Sequence, residues 1–317
     1  MRAAVSIENL TSPIEHSAVL TLRDLAAWSR PGVSLAVLGH PIGHSISPPM
    51  HNAALAALGR TDARFADWQY FRFEVHPDDL PRALELLHAK KFHGLNLTVP
   101  HKIIAFDRVA EIDPPARAVG AVNTLLWQPR GWHGFNTDGH GLAAAVRETL
   151  ARDLAGAQVI LLGAGGAARG AAVECLQRGC ASLAIANRTR ENLDALLAVL
   201  APLAAGIPRR GFSPAAPPAD LPPDALVINA TSAGLRATDP APLDLAALPR
   251  PAAVFDMIYN PPQTLLLRAA AALGLPHANG LAMLVHQGAK SLEIWSGIPA
   301  AQTAPTMAAA ARAALAV

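Results

Sequence analysis

A short apolar run at residues 159–162 passes directly into Gly163-Ala164-Gly165-Gly166-Ala167-Ala168, and from there into a helical stretch reaching about Arg178. Few features constrain a fold as tightly as strand, glycine turn and helix in that order. The turn lets the backbone approach a pyrophosphate, and the helix N-terminus behind it offers unpaired N–H groups and a positive dipole end. Gly163, Gly165 and Ala168 keep the G-x-G-x-x-[G/A] spacing. The same turn can also serve as a plain strand-to-helix connection. Its position between a strand and a helix is the context a dinucleotide site requires.

Regular alternation surrounds that turn. Strands are expected at residues 183–186, 226–229 and 254–256, and helices at 191–200 and 263–273. The Pro-rich stretch 208–223 reads as loop. A second alternation precedes it, with strands at 33–38, 71–75 and 94–99 and helices at 47–58 and 78–90. Ser47 before Pro48 reads as an N-cap hydroxyl followed by a proline at the first helical position. Alternation of this kind predicts a parallel sheet. A helix over 138–151 bridges the halves, and residues 281–317 read as two helices broken at Gly297-Ile298-Pro299. Residues 1–33 form an extension with one helix around 20–28. No motif depends on it, so deleting residues 1–30 is expected to leave folding and activity unchanged.

Composition narrows the function classes. The chain has 317 residues, of which 51% are hydrophobic and 16% charged, with a net charge of +2. That supplies ample core for two domains and excludes a disordered chain or a strongly basic nucleic-acid binder. Cys175 and Cys180 cannot form a disulfide framework, which suits free buried thiols and a cytoplasmic setting. No secretory signal is visible. Charge-free stretches such as 31–59 and 269–289 carry too many Pro, Gly, His and Asn to span a membrane. The expected partner is a small molecule, with no nucleic acid and no membrane, for a monomer or homodimer.

Polar residues mark the chemistry. At the end of the second strand of the glycine-turn half, Asn187-Arg188-Thr189 stands where an NAD enzyme carries an acid against the ribose 2′-OH. Without the carboxylate a 2′-phosphate is not repelled, and Arg188 supplies its counter-charge. A solvated loop arginine is the plainer alternative. Ser45 and Ser47 lie two apart in a loop entering a helix, and Lys102 follows a strand's carboxyl end, where ligands gather in open α/β sheets. A lysine and an aspartate such as Lys102 and Asp138 could handle a proton on a hydroxyl or carbonyl oxygen if they meet, and spacing alone leaves a structural ion pair equally open. His40 and His44 are separated by Pro41 and Gly43 and cannot share a helix face, so no metal site is expected. His101 and His286 adjoin candidate site residues and could titrate, and Met257 and Met283 read first as core.

The segments GHPIGHSISPPMHN, NLTVPHK, AVGAVNTL, NTDGHG, GAGGAARG, NRT, NATSAG, DMIYNP and GLAMLVHQGA occur in the order characteristic of shikimate dehydrogenases. The chain resembles that family over residues 34–300. The resemblance implies an α/β fold with an N-terminal α/β substrate domain (34–137, completed by helices 280–317), a Rossmann dinucleotide-binding domain (138–279), and a cleft between them. It implies Lys102 and Asp138 as the catalytic pair. Ser45, Ser47, Thr98, Asn123, Thr137, Tyr259 and Gln287 would line the pocket for a polyhydroxylated carboxylate. Gly163, Ala164, Gly165, Gly166, Ala167, Ala168, Asn187, Arg188, Thr189, Met257 and Gly280 would hold NADP. The implied activity is NADPH-dependent reversible reduction of 3-dehydroshikimate to shikimate in aromatic amino-acid (chorismate) biosynthesis. Alternatives are a quinate/shikimate dehydrogenase using NAD, or a non-catalytic ligand-binding regulator of the same fold. Asn192 departs from the pattern where the family often has a second arginine, and Arg190 is the other candidate counter-charge.

Overall fold

The computed structural model describes residues 18–204, 206–236 and 238–316. The chain forms two compact units, one ending at Asn136 and resuming at Ser291, the other spanning Thr137–Lys290.

In the first unit the elements run α1 (Leu22–Ala26), β1 (Ser34–Gly39), α2 (Ser47–Gly59), β2 (Gln69–Glu74), α3 (Leu80–Ala89), β3 (Gly94–Leu97), α4 (His101–Ile104), β4 (Glu111–Ile112), α5 (Pro114–Val119), β5 (Thr124–Gln128) and β6 (Gly131–Phe135). The sheet order is β2-β1-β3-β5-β6-β4. β1 is buried along its whole length and pairs in parallel with β2 and β3, as a continuous apolar run requires. β5, however, is antiparallel to both β3 and β6, so the sheet is mixed rather than wholly parallel. Gln128 pairs with Gly131 across a two-residue Pro129-Arg130 turn, and that hairpin breaks the alternation.

Residues assigned to the extension belong to this unit's core, contrary to expectation. Leu25 is 0% exposed and Trp28 7%, and both lie in one cluster with Phe71, Phe73, Leu87 and Phe92. The Trp28 ring meets Phe71 edge-on at 4.7 Å and sits 5.2 Å from Phe92. Leu20 forms a bridge along the outer edge of β2, its N–H donating to the Arg72 carbonyl and its carbonyl accepting from Glu74 N–H. A partner strand of one residue thus covers an otherwise open edge.

The second unit contains α6 (Asp138–Leu150), β7 (Gln158–Leu162), α7 (Gly166–Gln177), β8 (Ser182–Ala186), α8 (Arg190–Leu200), β9 (Arg209–Phe212), β10 (Leu226–Asn229), β11 (Ala253–Asp256), α9 (Leu265–Ala272) and β12 (His277–Ala278). All pairings in the order β12-β11-β10-β7-β8-β9 are parallel. The chain leaves β7 toward β8 and β9, then returns to β10 on the other side. That reversal creates a switch point at the carboxyl ends of β7 and β10, where such sheets bind ligands. β9 lies within the stretch expected to be loop, because an edge strand reading Arg-Arg-Gly-Phe carries no apolar signature. Cys175 and Cys180 are buried and free, and burial pushes the Cys180 thiol up to about 11.

α10 (Leu281–Ser296) and α11 (Ala300–Leu315) end the chain, with the break where Gly297 and Pro299 place it. The division between units falls inside α10, after Lys290, rather than ahead of it at residue 280. α11 packs on α2. Among the described residues, no helix is long and apolar enough to cross a membrane.

Candidate active site

The glycine turn is built as its sequence demands. Gly163 has φ +111°, a left-handed conformation that favours glycine, and its N–H donates to Ala186 O at 2.8 Å, tying the turn to the end of β8. Gly165 precedes the first helical residue of α7, and a Cβ added there would meet nothing within 4 Å. The first turn of α7 takes no side-chain cap. Uncapped N–H groups facing open space above a glycine fit a pyrophosphate. These residues line a pocket of about 420 Å³ together with Asn187, Arg188, Thr189, Asn192 and the 230–233 loop.

Asn187 Nδ2 donates to Thr189 O at 2.8 Å and shapes the turn that presents Arg188, which is exposed. Arg190, the other candidate counter-charge, pairs with Asp194 at 2.8 Å on α8. Asp239 also lines the pocket, a residue the sequence did not single out. Backbone N–H groups of Arg236 and Gly234 hold its carboxyl below the usual carboxylate range. With no acid at the end of β8 and an arginine there, the residues suit a 2′-phosphorylated dinucleotide.

Beneath the switch point lies a buried polar network that sequence reading missed. Asp256, 0% exposed at the end of β11, accepts from Asn229 Nδ2 at 2.9 Å, Ile258 N–H at 3.1 Å and Thr264 Oγ1 at 2.6 Å. Asn229 Oδ1 in turn accepts from the Thr231 N–H and hydroxyl. The network fixes both the 231–233 lip of the pocket and the segment carrying Met257 and Tyr259. Gly280 N–H donates to Ile258 O, and a Cβ on Gly280 would stand 2.1 Å from the Met257 carbonyl. Only glycine fits there. Burial pushes the Tyr259 phenol up. Thr137 Oγ1 donates to Gln287 Oε1 at 3.5 Å, so these two expected pocket residues are neighbours. His286 pairs with Glu148 at 2.6 Å.

In the first unit, the registers gather the remaining candidates at one end of the sheet. β1 and β3 are parallel neighbours, and their carboxyl ends lead into the loop of Ser45 and Ser47 and into Thr98 and Lys102. β5 runs the other way, so Asn123, just ahead of it, lies at the same end, its carbonyl accepting from Leu97 N–H at 2.8 Å. Ser47 does not cap α2. It is the first helical residue, and its N–H donates to Ser45 Oγ at 3.3 Å, so Ser45 supplies the oxygen instead. That bond leaves the Ser45 O–H able to donate to a ligand. Lys102 is half-buried on α4, a single turn held from two sides. Its carbonyl accepts from Val122 N–H at 2.9 Å, and His101 Nε2–H donates to Val75 O at 2.9 Å. Burial pushes the His101 imidazole down, and its role is to anchor the turn. Below this end, Asn96, Thr124 and Ser291 form a second buried network missed from sequence, with Asn96 Oδ1 accepting from Tyr70 OH at 2.8 Å. Lys102 belongs to the first unit, and Asp138 opens α6 of the second.

Residues 37–125 match the family described as the shikimate dehydrogenase substrate binding domain, and residues 280–312 match the shikimate 5′-dehydrogenase C-terminal domain. The chain is 41% identical over 273 residues to a shikimate dehydrogenase (NADP(+)) of Symbiobacterium thermophilum, covering 84% of this chain and 90% of that one. The chain belongs to the shikimate dehydrogenase family. Among solved structures it is similar to shikimate 5-dehydrogenase of Thermus thermophilus in complex with NADP(H) and shikimate. That similarity has a TM-score of 0.76 at 34% identity, over 89% of this chain and 99% of the other. It is also similar to 5-ketofructose reductase of a Gluconobacter strain, with TM-score 0.76 and 30% identity over 88% and 99% of the two chains.

Proposed function

We propose that this protein is an NADP-dependent oxidoreductase that reversibly reduces 3-dehydroshikimate to shikimate in aromatic amino-acid biosynthesis. The observation that carries this reading is the 41% identity to an NADP-dependent shikimate dehydrogenase along 84% of the chain. It is supported by the gathering of Ser45, Ser47, Thr98, Lys102 and Asn123 at one sheet end. When bound, NADPH supplies the hydride. Gly163–Gly165 and the α7 N-terminus take its pyrophosphate, and Arg188 takes its 2′-phosphate. Ser45 and Ser47 bind the substrate carboxylate, and Thr98, Asn123, Thr137, Tyr259 and Gln287 complete the pocket. Asp138 orients the substrate hydroxyls. Lys102 donates a proton, or holds its charge, at the carbonyl oxygen as it becomes an alkoxide.

The test is oxidation of shikimate, quinate and reduced 5-ketofructose with NADP⁺ and NAD⁺, followed by absorbance of the reduced nicotinamide. Shikimate with NADP⁺ should give the highest kcat/KM. Preference for another substrate would overturn the assignment. Ser45→Ala should raise KM for shikimate, because losing one donor to a buried anion costs about 1–3 kcal/mol. An unchanged KM would place Ser45 outside the pocket.

Cofactor choice is expected to rest on Arg188 alone, since Arg190 is tied to Asp194 and position 192 is asparagine. A charge-assisted arginine–phosphate contact contributes about 1.5–3 kcal/mol, roughly a ten- to hundred-fold preference for NADP⁺. Arg188→Ala should erase most of that margin by raising KM for NADP⁺, leaving NAD⁺ nearly untouched. Equal use of NAD⁺ by the unaltered protein would move the quinate/shikimate alternative forward.

A further inference from the structure

An arginine sits inside β2, where a strand at the sheet edge would ordinarily turn an apolar or neutral residue inward. Arg72 is 8% exposed, and burial lowers its pKa from the ordinary arginine value. Phe71 and Phe73 point toward Trp28, so Tyr70 and Arg72 face the other side, where α2 lies. There Tyr70 stacks on His51 at 4.1 Å, and Asn52 clasps the Tyr70 backbone with two bonds of 2.8 Å. Two residues further along the strand, Arg72 Nη1 donates to Gly43 O at 2.6 Å and to Ser45 O at 3.1 Å. The loop that carries Ser45 and Ser47 is therefore held from below by a guanidinium.

We propose that Arg72 is a positioning residue for the substrate's anionic end, fixing the 43–47 loop so that its serine hydroxyls converge. This rests on the proposed shikimate reading. One feature makes the arginine specific rather than interchangeable. Its rigid planar guanidinium aims one N–H group at two carbonyls two residues apart, a geometry a flexible ammonium does not hold. Its own carbonyl, moreover, accepts from Leu20 N–H, so the strand position itself is pinned from the outer edge. With both carbonyls turned to Arg72, the loop keeps the Ser45 hydroxyl oxygen on the Ser47 N–H. The buried positive charge behind the loop also favours a carboxylate ligand over a neutral one.

The experiment compares steady-state kinetics of the full chain with Arg72→Met and Arg72→Lys, each checked by thermal unfolding. Arg72→Met should raise KM for shikimate about tenfold or more, with kcat within about threefold and KM for NADP⁺ unchanged. Arg72→Lys, which keeps the charge and one contact, should fall between. An unchanged shikimate KM in Arg72→Met overturns the role, as does equal loss of NADP⁺ affinity, which would signal general damage. Lysine no better than methionine overturns it too. If Arg72→Met does not fold, Arg72→Lys decides alone, and wild-type KM in that variant overturns the proposal. Failure of the unaltered protein to oxidise shikimate overturns the functional reading and this role together, whereas an active parent with an unaffected variant overturns this role alone.

Discussion

Lys102→Ala is expected to lower turnover for shikimate oxidation by a factor on the order of 10² or more, with KM for shikimate within a few-fold. An ammonium that matters only as the alkoxide develops stabilises the transition state more than the bound substrate, so its loss appears in kcat. The backbone at this position is fixed without the side chain, by the Val122 N–H on the Lys102 carbonyl and by the His101 anchor to Val75. Truncation therefore removes a charge without releasing the turn, and thermal stability should change little. Turnover within a few-fold of the parent would make Lys102 a binding or structural residue and leave the proton to another group.

Much of the second unit was legible because its physics is local. Strands of an all-parallel sheet are covered on both faces and read as unbroken apolar runs, as in Val-Ile-Leu-Leu of β7 and Leu-Val-Ile of β10. β9 escaped since an edge strand is free to carry Arg209 and Arg210. The hairpin of β5 and β6 had a readable turn at Pro129-Arg130-Gly131, but the expected βα rhythm of the neighbouring segments masked it. Helix breaks fared better. Gly297 and Pro299 act on their own residues, and α10 and α11 divide there.

The site divides the same way. Residues proposed to touch ligands sit in short motifs, so Ser45, Lys102, Gly163 and Arg188 could be named from spacing and residue type. Residues that hold those motifs in place act through contacts distant in sequence. Asn96 meets Ser291 across 195 positions, Asn229 meets Asp256 across 27, and Arg72 reaches Ser45 across 27. No periodicity announces such pairs, because each polar group is made tolerable in the interior only by a partner supplied by the fold. Ser47 shows the complementary error. Its type suited a helix cap, yet the loop geometry gave the capping oxygen to Ser45.

Deletion of residues 1–30 is expected to abolish folding of the substrate unit, reversing what the sequence alone suggested. The segment lacks motifs, but its described part supplies core. Removing Leu25 and Trp28 from a packed cluster costs about 2–5 and about 3–5 kcal/mol respectively, by analogy with large-to-alanine substitutions. That total approaches the whole stability of an ordinary domain, about 5–15 kcal/mol. Further losses add to it: the Lys90 ammonium bond to the Trp28 carbonyl at 2.9 Å, and the Arg30 guanidinium 5.5 Å from the Phe71 ring. Removing Leu20 would also uncover the edge of β2 next to Arg72, inviting strand-to-strand aggregation. The truncated chain should therefore accumulate as insoluble protein. Trp28→Ala keeps the segment and should give a soluble but weakened protein, its denaturant midpoint lowered by the equivalent of about 3–5 kcal/mol. A soluble truncation with the parent's unfolding midpoint and shikimate KM would show that Phe71, Phe73 and Phe92 close over the gap without Trp28, and the segment would revert to a dispensable extension.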